Sequence, residues 1–241
     1  MNGSNSIIKK VYLRLKNVLS SLLNKTCELC LEDNFDEGFL CADCENSLPQ
    51  SQSRCQMCAI PLLSPGYCGQ CLAHKPAFDL SHCNFNYGAP IDSWLHQLKD
   101  QRKTQWAQKL AQLMLLNPPP FLTEVDVFTF VPSTRWSLIK RGFNPGELIT
   151  RELGRKLNKP VIAKLAKRSH GSEQKNLNRQ QRINNVHKHF HSAGKQLNHQ
   201  HIMLIDDVMT TGSTAHTMAT ILKVSGASKV SVWCFARTPK H

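Results

Sequence analysis

From residue 80 onward, apolar runs of strand length alternate with amphipathic stretches of helix length. Residues 80–87 alternate apolar and polar side chains, which predicts a strand. Residues 92–117 put Trp94, Leu95, Leu98, Trp106, Leu110, Leu113 and Met114 on one side, which predicts a helix. Asp92 or Ser93 caps it, and Pro118-Pro119-Pro120 stops it. Residues 125–131 form a second apolar strand. Asn144 and Pro145 read as the cap and first turn of a helix that turns Leu148, Ile149, Leu153 and Leu157 inward. Residues 160–166 are a third strand candidate. Ile202-Met203-Leu204-Ile205 reads as a buried parallel strand. A helix over 212–225 ends at Gly226, and residues 230–235 close the sheet. Strands alternating with helices predict an α/β domain over residues 80–241, with a parallel sheet and its site at the carboxyl edge.

The chain is organised around residues 202–214. Two adjacent carboxylates, Asp206 and Asp207, follow the apolar strand, and then come Thr210, Thr211, Gly212, Ser213 and Thr214. A turn rich in Gly, Ser and Thr that opens a helix aims backbone N–H groups and hydroxyls at one spot. The helix dipole adds positive character there, so phosphate is well bound. Two acids just before the turn repel phosphate. They make sense facing ribose hydroxyls or a Mg²⁺ ion on the same ligand. A phosphorylated sugar satisfies both halves. The bland reading is a helix merely capped by its Thr and Ser residues. An isolated Thr-Thr-Gly supports that reading, whereas the full order of apolar strand, paired acids and hydroxyl turn does not. A Walker loop is excluded, because no Gly-Lys-Ser/Thr is present.

The N-terminal third has a different character. Residues 1–26 contain five Lys or Arg and no acid, with apolar residues from Ile7 to Leu23 at helical spacing. Arg14 and Lys16 interrupt any secretory apolar core. A basic amphipathic helix that packs on its own protein is the plain expectation. Peripheral contact with a membrane surface, or docking to a partner, is the sharper one. Residues 27–72 then carry four Cys-x-x-Cys knuckles: Cys27/Cys30, Cys41/Cys44, Cys55/Cys58 and Cys68/Cys71. Each knuckle offers two thiolates at about 2.3 Å from a Zn²⁺ ion, and two knuckles complete a tetrahedron. Four knuckles predict a double zinc ribbon with two structural zincs. Sequential pairing is the simplest arrangement, and interleaved pairing fits the spacing as well. A disulfide framework needs an oxidising compartment, and no export signal is visible. Few apolar residues accompany the knuckles, so metal supplies the folding energy. Structural support or protein contact ranks before nucleic-acid contact as the ribbon's role. Cys83 and Cys234 stand outside the knuckles in apolar runs and read as buried thiols.

Composition adds a polyanionic partner to the picture, since the net charge of the 241 residues is +13. No run reaches the length of a transmembrane helix. After residue 131, Arg135, Lys140 and Arg141 follow the strand in a short turn and make a second anion site suited to pyrophosphate. Lys99, Arg102 and Lys103 project from the preceding helix, as a solvated face or as further cations. Residues 167–201 are polar, with Glu173 the one carboxylate and six of the eleven histidines. A polar loop of this length in a compact domain reads as a lid or a disordered segment. Single-stranded nucleic acid is a second candidate ligand for it, although Phe190 is the one aromatic platform nearby.

Residues 202–214 resemble the phosphoribosyl-pyrophosphate (PRPP) loop of type I phosphoribosyltransferases. In that family the paired acids hold ribose and the following turn wraps the 5-phosphate. A wider resemblance covers nearly the whole chain from Cys27. Its carriers are the four knuckles, then Trp94, Leu98-Lys99, Val131-Pro132, Arg135, Arg141-Gly142-Phe143-Asn144 and Glu147. They continue with Gln174, Leu177, Arg182, Asn185, Phe190 and the PRPP loop. This ordered set is similar to the ComF family of zinc-ribbon, phosphoribosyltransferase-like proteins linked to natural competence and DNA utilisation. Pro145 departs from the Gln often found there. The resemblance implies a cytoplasmic protein with a type I phosphoribosyltransferase-like fold. It implies PRPP and Mg²⁺ at Asp206, Asp207, Thr210, Thr211, Gly212, Ser213, Thr214 and Lys99. It assigns pyrophosphate stabilisation to Arg135 and Arg141, and lid roles to Gln174, Arg182 and Asn185. Implied partners are single-stranded DNA and a helicase or uptake-channel protein of the competence machinery. A non-enzymatic PRPP sensor that holds DNA or a partner is the alternative. A regulator of nucleotide-synthesis genes is a third reading, opposed by the lack of a helix-turn-helix pattern.

Overall fold

The computed structural model describes residues 26–33, 38–163, 165–168, 190–192, 197–198 and 200–239. The chain divides into two compact units, Met1–Leu48 and Pro49–His241. Apart from Thr26, the expected amphipathic helix lies outside the described residues.

The smaller unit is built around its cysteines. The Cys27 N–H donates to the Glu32 carbonyl at 2.8 Å, and the Leu31 N–H to the Cys27 carbonyl at 2.9 Å. This tight turn forces Leu31 to a φ of 64°. A short helix, α1 (Ala42–Asn46), presents Cys44 inward, and Leu40 and Leu48 are buried.

The larger unit opens with a near copy of this arrangement. The Cys55 N–H donates to the Ile60 carbonyl at 2.8 Å, and the Ala59 N–H to the Cys55 carbonyl at 2.8 Å. Ala59 has a φ of 53°. Strands β1 (Ser53–Arg54) and β2 (Pro61–Leu62) pair antiparallel, and α2 (Gly69–Ala73) carries Cys71. The chain continues with β3 (Leu80–Asn86), α3 (Ile91–Lys99), α4 (Trp106–Leu116) and β4 (Val127–Phe130). Next come α5 (Arg135–Arg141), α6 (Pro145–Leu157), β5 (Ala166–Arg168) and β6 (Phe190–Ser192). The last elements are β7 (His201–Met209), α7 (Ser213–Val224) and β8 (Lys229–Arg237). The main sheet has the order β3-β8-β7-β4 with every pairing parallel. Apolar runs on β7 and β8 are buried on both faces, as central parallel strands require. Cys55, Cys58, Cys68, Cys71, Ile60 and Phe78 share one core with Met209, Met218, Leu222, Val232 and Cys234. The second set of knuckles is thus part of the interior of the larger unit. Cys83 and Cys234 are buried and register-paired on neighbouring strands, as the apolar context predicted.

Four expectations need correction. The single helix over 92–117 is two helices, with Arg102 at a φ of 55° in the break. Residues 100–105 are all polar, so continuing the helix would bury nothing. Instead the Trp106 indole N–H and the Lys103 ammonium both donate to the Gln97 side-chain carbonyl at 3.0 Å, and Trp106 stacks on Trp94 at 5.6 Å. The N-cap is Pro90, without a side-chain cap bond, and Asp92 lies in the first turn. In place of a full strand over 160–166, Val161 makes one parallel bridge to Phe128, and β5 pairs antiparallel with β6. In place of a short turn after residue 131, α5 forms, because the Thr134 hydroxyl caps the Ser137 N–H and Gly142 closes the helix at a φ of 83°. Asn144 caps α6 as expected, accepting from Gly146 and Glu147 N–H.

Candidate functional site

Topology places a crevice beside Asp206. From β4 the chain passes through α6 to Val161, which bridges Phe128 on the side of β4 away from β7. From β7 it passes through α7 to β8, on the opposite side. The connections diverge between β4 and β7, and ligands of open α/β sheets bind beyond the strand ends at such a point. The Val131 N–H makes the last bond to β7, at the Ile205 carbonyl, and Pro132 then has no N–H to continue the ladder. Asp206 and Asp207 therefore extend past the end of β4.

The turn after β7 is shaped by Gly212, whose φ is 80° and which immediately precedes α7. The Thr211 and Ser213 hydroxyls are 2.7 Å apart, and the Ser213 N–H donates to Thr211 Oγ1 at 3.3 Å. Asp206, Thr210, Thr211, Gly212 and Thr214 line a small open cavity of about 30 Å³ together with Val208, Met209 and Ala215. On the other side of the strand end, Lys99 Nζ meets Asp207 Oδ2 at 2.9 Å, with the two side chains 23% and 16% exposed. The Asp207 N–H donates to Asp206 Oδ1 at 3.0 Å. Arg141 lies 3.7 Å from Asp100, the residue after Lys99, and the Arg102 guanidinium donates to the Lys140 carbonyl. The end of α5 is thereby tied to the turn that follows α3.

Beneath the turn lies Arg237, only 3% exposed. Its guanidinium donates to the Cys58 carbonyl at 2.9 Å, to the Met209 carbonyl at 2.9 Å and to the Thr210 carbonyl. Burial pushes the neighbouring Cys234 thiol well up, and the Cys83 thiol and the Asp206 charge push in the same direction.

Cys27/Cys30/Cys41/Cys44 and Cys55/Cys58/Cys68/Cys71 form two clusters whose ligand atoms lie within 4.8 Å of one another. This is the sequential pairing. A tetrahedron with Zn–S bonds of about 2.3 Å has edges of about 3.8 Å. The Cys30–Cys41 and Cys58–Cys68 sulfurs are 3.8 Å and 3.7 Å apart. The Cys41 and Cys68 N–H groups each donate to the first sulfur of their cluster at 3.3 Å. Burial raises the Cys27 thiol, but main-chain N–H groups of Cys30, Cys41 and Leu29 outweigh it and bring the value down to about 6. For Cys55 the same balance, with N–H groups of Cys58, Cys68 and Met57, gives about 7. Burial and neighbouring thiols raise Cys44 and Cys71. In each cluster main-chain N–H groups favour the thiolate of the first cysteine, and four converging thiols suit structural zinc.

Of the residues the sequence singled out, Asp206, Thr210, Thr211, Gly212 and Thr214 meet in one cavity, Ser213 adjoins them and Lys99 holds Asp207. Arg141 stands beside Asp100, whereas Arg135 is exposed on the first turn of α5, and neither lines the cavity. Gln174, Arg182 and Asn185 lie outside the described residues. Sequence reasoning passed over Arg237. The signal for it was an arginine directly after an apolar strand, and β8 runs two residues past the expected end at 235.

The double zinc ribbon domain family matches residues 18–72. A DNA utilization protein, YhgH, of Salmonella typhi is 30% identical over 206 residues, covering 83% of this chain and 90% of that protein. The chain belongs to the ComF family. Another family member, Competence protein F of Haemophilus influenzae, is 27% identical over 213 residues, covering 82% and 90% of the two chains. YhgH of Escherichia coli K12 is 28% identical over 206 residues, with 83% and 90% covered. Among solved structures, the purine phosphoribosyltransferase from Pyrococcus horikoshii Ot3 has a TM-score of 0.33 at 16% identity, covering 56% of this chain and 73% of that one. This ComF-family chain is α/β, with a four-stranded parallel sheet and an N-terminal double zinc ribbon. Among the described residues, no helix is long and apolar enough to cross a membrane.

Proposed function

We propose that this protein binds PRPP with Mg²⁺ at the turn between β7 and α7 and acts as a phosphoribosyltransferase-type protein of DNA uptake and utilisation in the cytoplasm. The observation that carries the reading is the paired acids and the Gly212 turn at the divergence point of the sheet, with Asp206 and the hydroxyl turn around one cavity. Phosphate oxygens suit the N–H groups and hydroxyls from Thr210 to Thr214. Ribose hydroxyls suit the carboxylates of Asp206 and Asp207. Those carboxylates are hard oxygen donors and fit a bound Mg²⁺, which would neutralise charge on the pyrophosphate. Lys99 and Arg141, with Arg135 further out on α5, supply cations for the departing pyrophosphate. In the transfer, the acceptor's nucleophilic atom bonds to C1 of the ribose while pyrophosphate leaves with the electron pair of the broken C1–O bond. The chain's contribution is to position the two groups and to stabilise charge.

Calorimetry with PRPP, with and without Mg²⁺, tests this on the wild type and on the Asp206→Asn/Asp207→Asn variant. Mg²⁺-dependent binding that the variant loses supports the reading, and pyrophosphate release with candidate acceptors then identifies the reaction. Zinc-loaded protein that ignores PRPP sinks it. A second reading, single-strand binding without turnover, is favoured by one observation. Trp136 is 60% exposed on the helix that carries Arg135 and Arg141, with the Lys140 ammonium 5.2 Å from its ring centre. An exposed indole among cations suits base stacking. Affinity for single strands that falls linearly in log–log form with salt, without pyrophosphate release, favours this second reading.

A further inference from the structure

We propose that Arg237 is a positioning residue that couples the second cysteine cluster, Cys55/Cys58/Cys68/Cys71, to the phosphate-binding face of the β7–α7 turn. The inference rests on the phosphate-binding reading of that turn.

The geometry begins with peptide planarity. The C=O and N–H of one trans peptide unit point in opposite directions. The Met209 carbonyl shares its unit with the Thr210 N–H, and the Thr210 carbonyl shares its unit with the Thr211 N–H. Arg237 Nη1 draws both carbonyls toward itself. The two N–H groups are therefore turned away from Arg237, and both residues line the cavity. The guanidinium shares the Met209 carbonyl with the Thr238 N–H at 3.2 Å and holds the Thr210 carbonyl as well, so it helps to orient two donors that an anion needs. It also keeps a positive charge beneath the anion site, in surroundings that water does not screen, since Arg237 is 3% exposed.

The other edge of the same guanidinium is held by the second cysteine cluster. Nε donates to the carbonyl of Cys58, a ligand of the second cluster, at 2.9 Å. That carbonyl sits in a strained turn, for Ala59 next to it has a φ of 53°. With no cation, four converging thiols do not hold such a turn closed. Opening it moves the Cys58 carbonyl, loosens the guanidinium on one edge and gives the Thr210–Thr211 peptide unit freedom to rotate, while the Thr238 N–H still holds the Met209 carbonyl. Lysine cannot replace arginine here, because one ammonium on a flexible stem does not span both the Cys58 and the Met209 carbonyls as the planar fork does.

Coupling of this kind is reciprocal. In the full-length wild type with both zincs bound, chelator competition at equilibrium gives two zinc steps. Saturating PRPP with Mg²⁺ is expected to tighten one of them by about fivefold or more. The full-length Arg237→Lys variant is expected to keep both zincs and the amide protection of residues 202–205. Its Thr210 and Thr211 amides exchange faster, and its PRPP affinity falls by about tenfold, the scale of a lost charge-assisted hydrogen bond. The proposal is overturned if PRPP binds the wild type and neither zinc step moves. It is overturned equally if Arg237→Lys leaves both amide exchange and affinity unchanged. Should the variant fail to fold, the wild-type competition decides. A zinc-loaded wild type that does not bind PRPP refutes the phosphoribosyl reading instead, and amide exchange in Arg237→Lys then decides for Arg237 alone.

Discussion

Lys99 and Asp207 offer a quantitative test of the strand-end geometry. Their charged atoms are 2.9 Å apart and the side chains are 23% and 16% exposed. At an effective dielectric of about 20, two unit charges at that distance attract by about 6 kcal/mol. Desolvation and side-chain ordering offset most of this, leaving a net coupling of about 1–2 kcal/mol. The control is Arg155–Glu152, at 3.0 Å but with 63% and 30% exposure, for which the coupling is under about 0.5 kcal/mol. The two single changes at the site differ in cost. Asp207→Asn leaves Lys99 at the end of a helix, where its ammonium can reach water and favours the dipole. Lys99→Met leaves a half-buried carboxylate next to Asp206 and costs more. Urea titrations of Lys99→Met, Asp207→Asn and the double variant, beside Arg155→Gln, Glu152→Gln and their double, give both cycles. Tryptophan fluorescence reads the larger unit alone, since Trp94, Trp106, Trp136 and Trp233 all lie within it. In 1 M salt the control coupling collapses and most of the Lys99–Asp207 coupling survives. Equal couplings in the two cycles, or equal costs for the two single changes, refute the reasoning.

Zinc analysis is expected to find two ions per chain and one in either Cys44→Ser or Cys71→Ser, with only Cys71→Ser lowering the tryptophan-reported midpoint, because its cluster lies in the larger core. Gly226→Ala costs about 3 kcal/mol or more, since φ is 102° and the new Cβ overlaps the Leu197 carbonyl. Gly142→Ala, with a φ of 83° and open space around the Cβ, costs about 1–2 kcal/mol in the same urea assay. The buried His201 ring donates from Nδ1 to the Glu124 carbonyl at 3.2 Å and accepts the Ser231 hydroxyl at Nε2 at 2.8 Å. Burial, and then the Lys229 charge, lower its pKa. The unfolded chain therefore takes up the proton first, so stability is whole above pH of about 6.5 and falls as pH drops below it. His201→Gln should reduce the change in urea midpoint between pH 7.5 and 5.5, and an unchanged slope would refute this.

How much was legible depends on how local the cause was. Knuckle spacing, the apolar runs of β7 and β8 and the Asn144 cap are properties of neighbouring residues, and all three appear in the fold as expected. The break between α3 and α4 was missed because Trp94 and Trp106 keep one apolar face across it, even though six polar residues intervene. Helix α5 was missed because Trp136, Leu138 and Ile139 are exposed on it, so no amphipathic pattern marks it. Thr134 and Gly142 were the readable signals, a cap and a stop seven residues of helix apart. Arg237 is legible only in three dimensions, since three of its four carbonyl partners stand 27, 28 and 179 positions away in the chain.

Consecutive strand residues point to opposite faces, and this divides the work of the two acids. Asp206 lines the cavity with the hydroxyl turn. Asp207 faces the end of α3, where Lys99 holds it. A single carboxylate could not both line the cavity and anchor the helix that follows β3. Two in a row do both, because the strand's own geometry separates them. The arrangement also relieves their mutual repulsion, since Lys99 compensates one charge. Asp206 is the acid on the cavity side, beside the hydroxyl turn, and Asp207 is the one tied to α3. On the proposed phosphoribosyl reading, a sugar would meet Asp206 from within the cavity and Asp207 at its rim, with the phosphate toward Gly212.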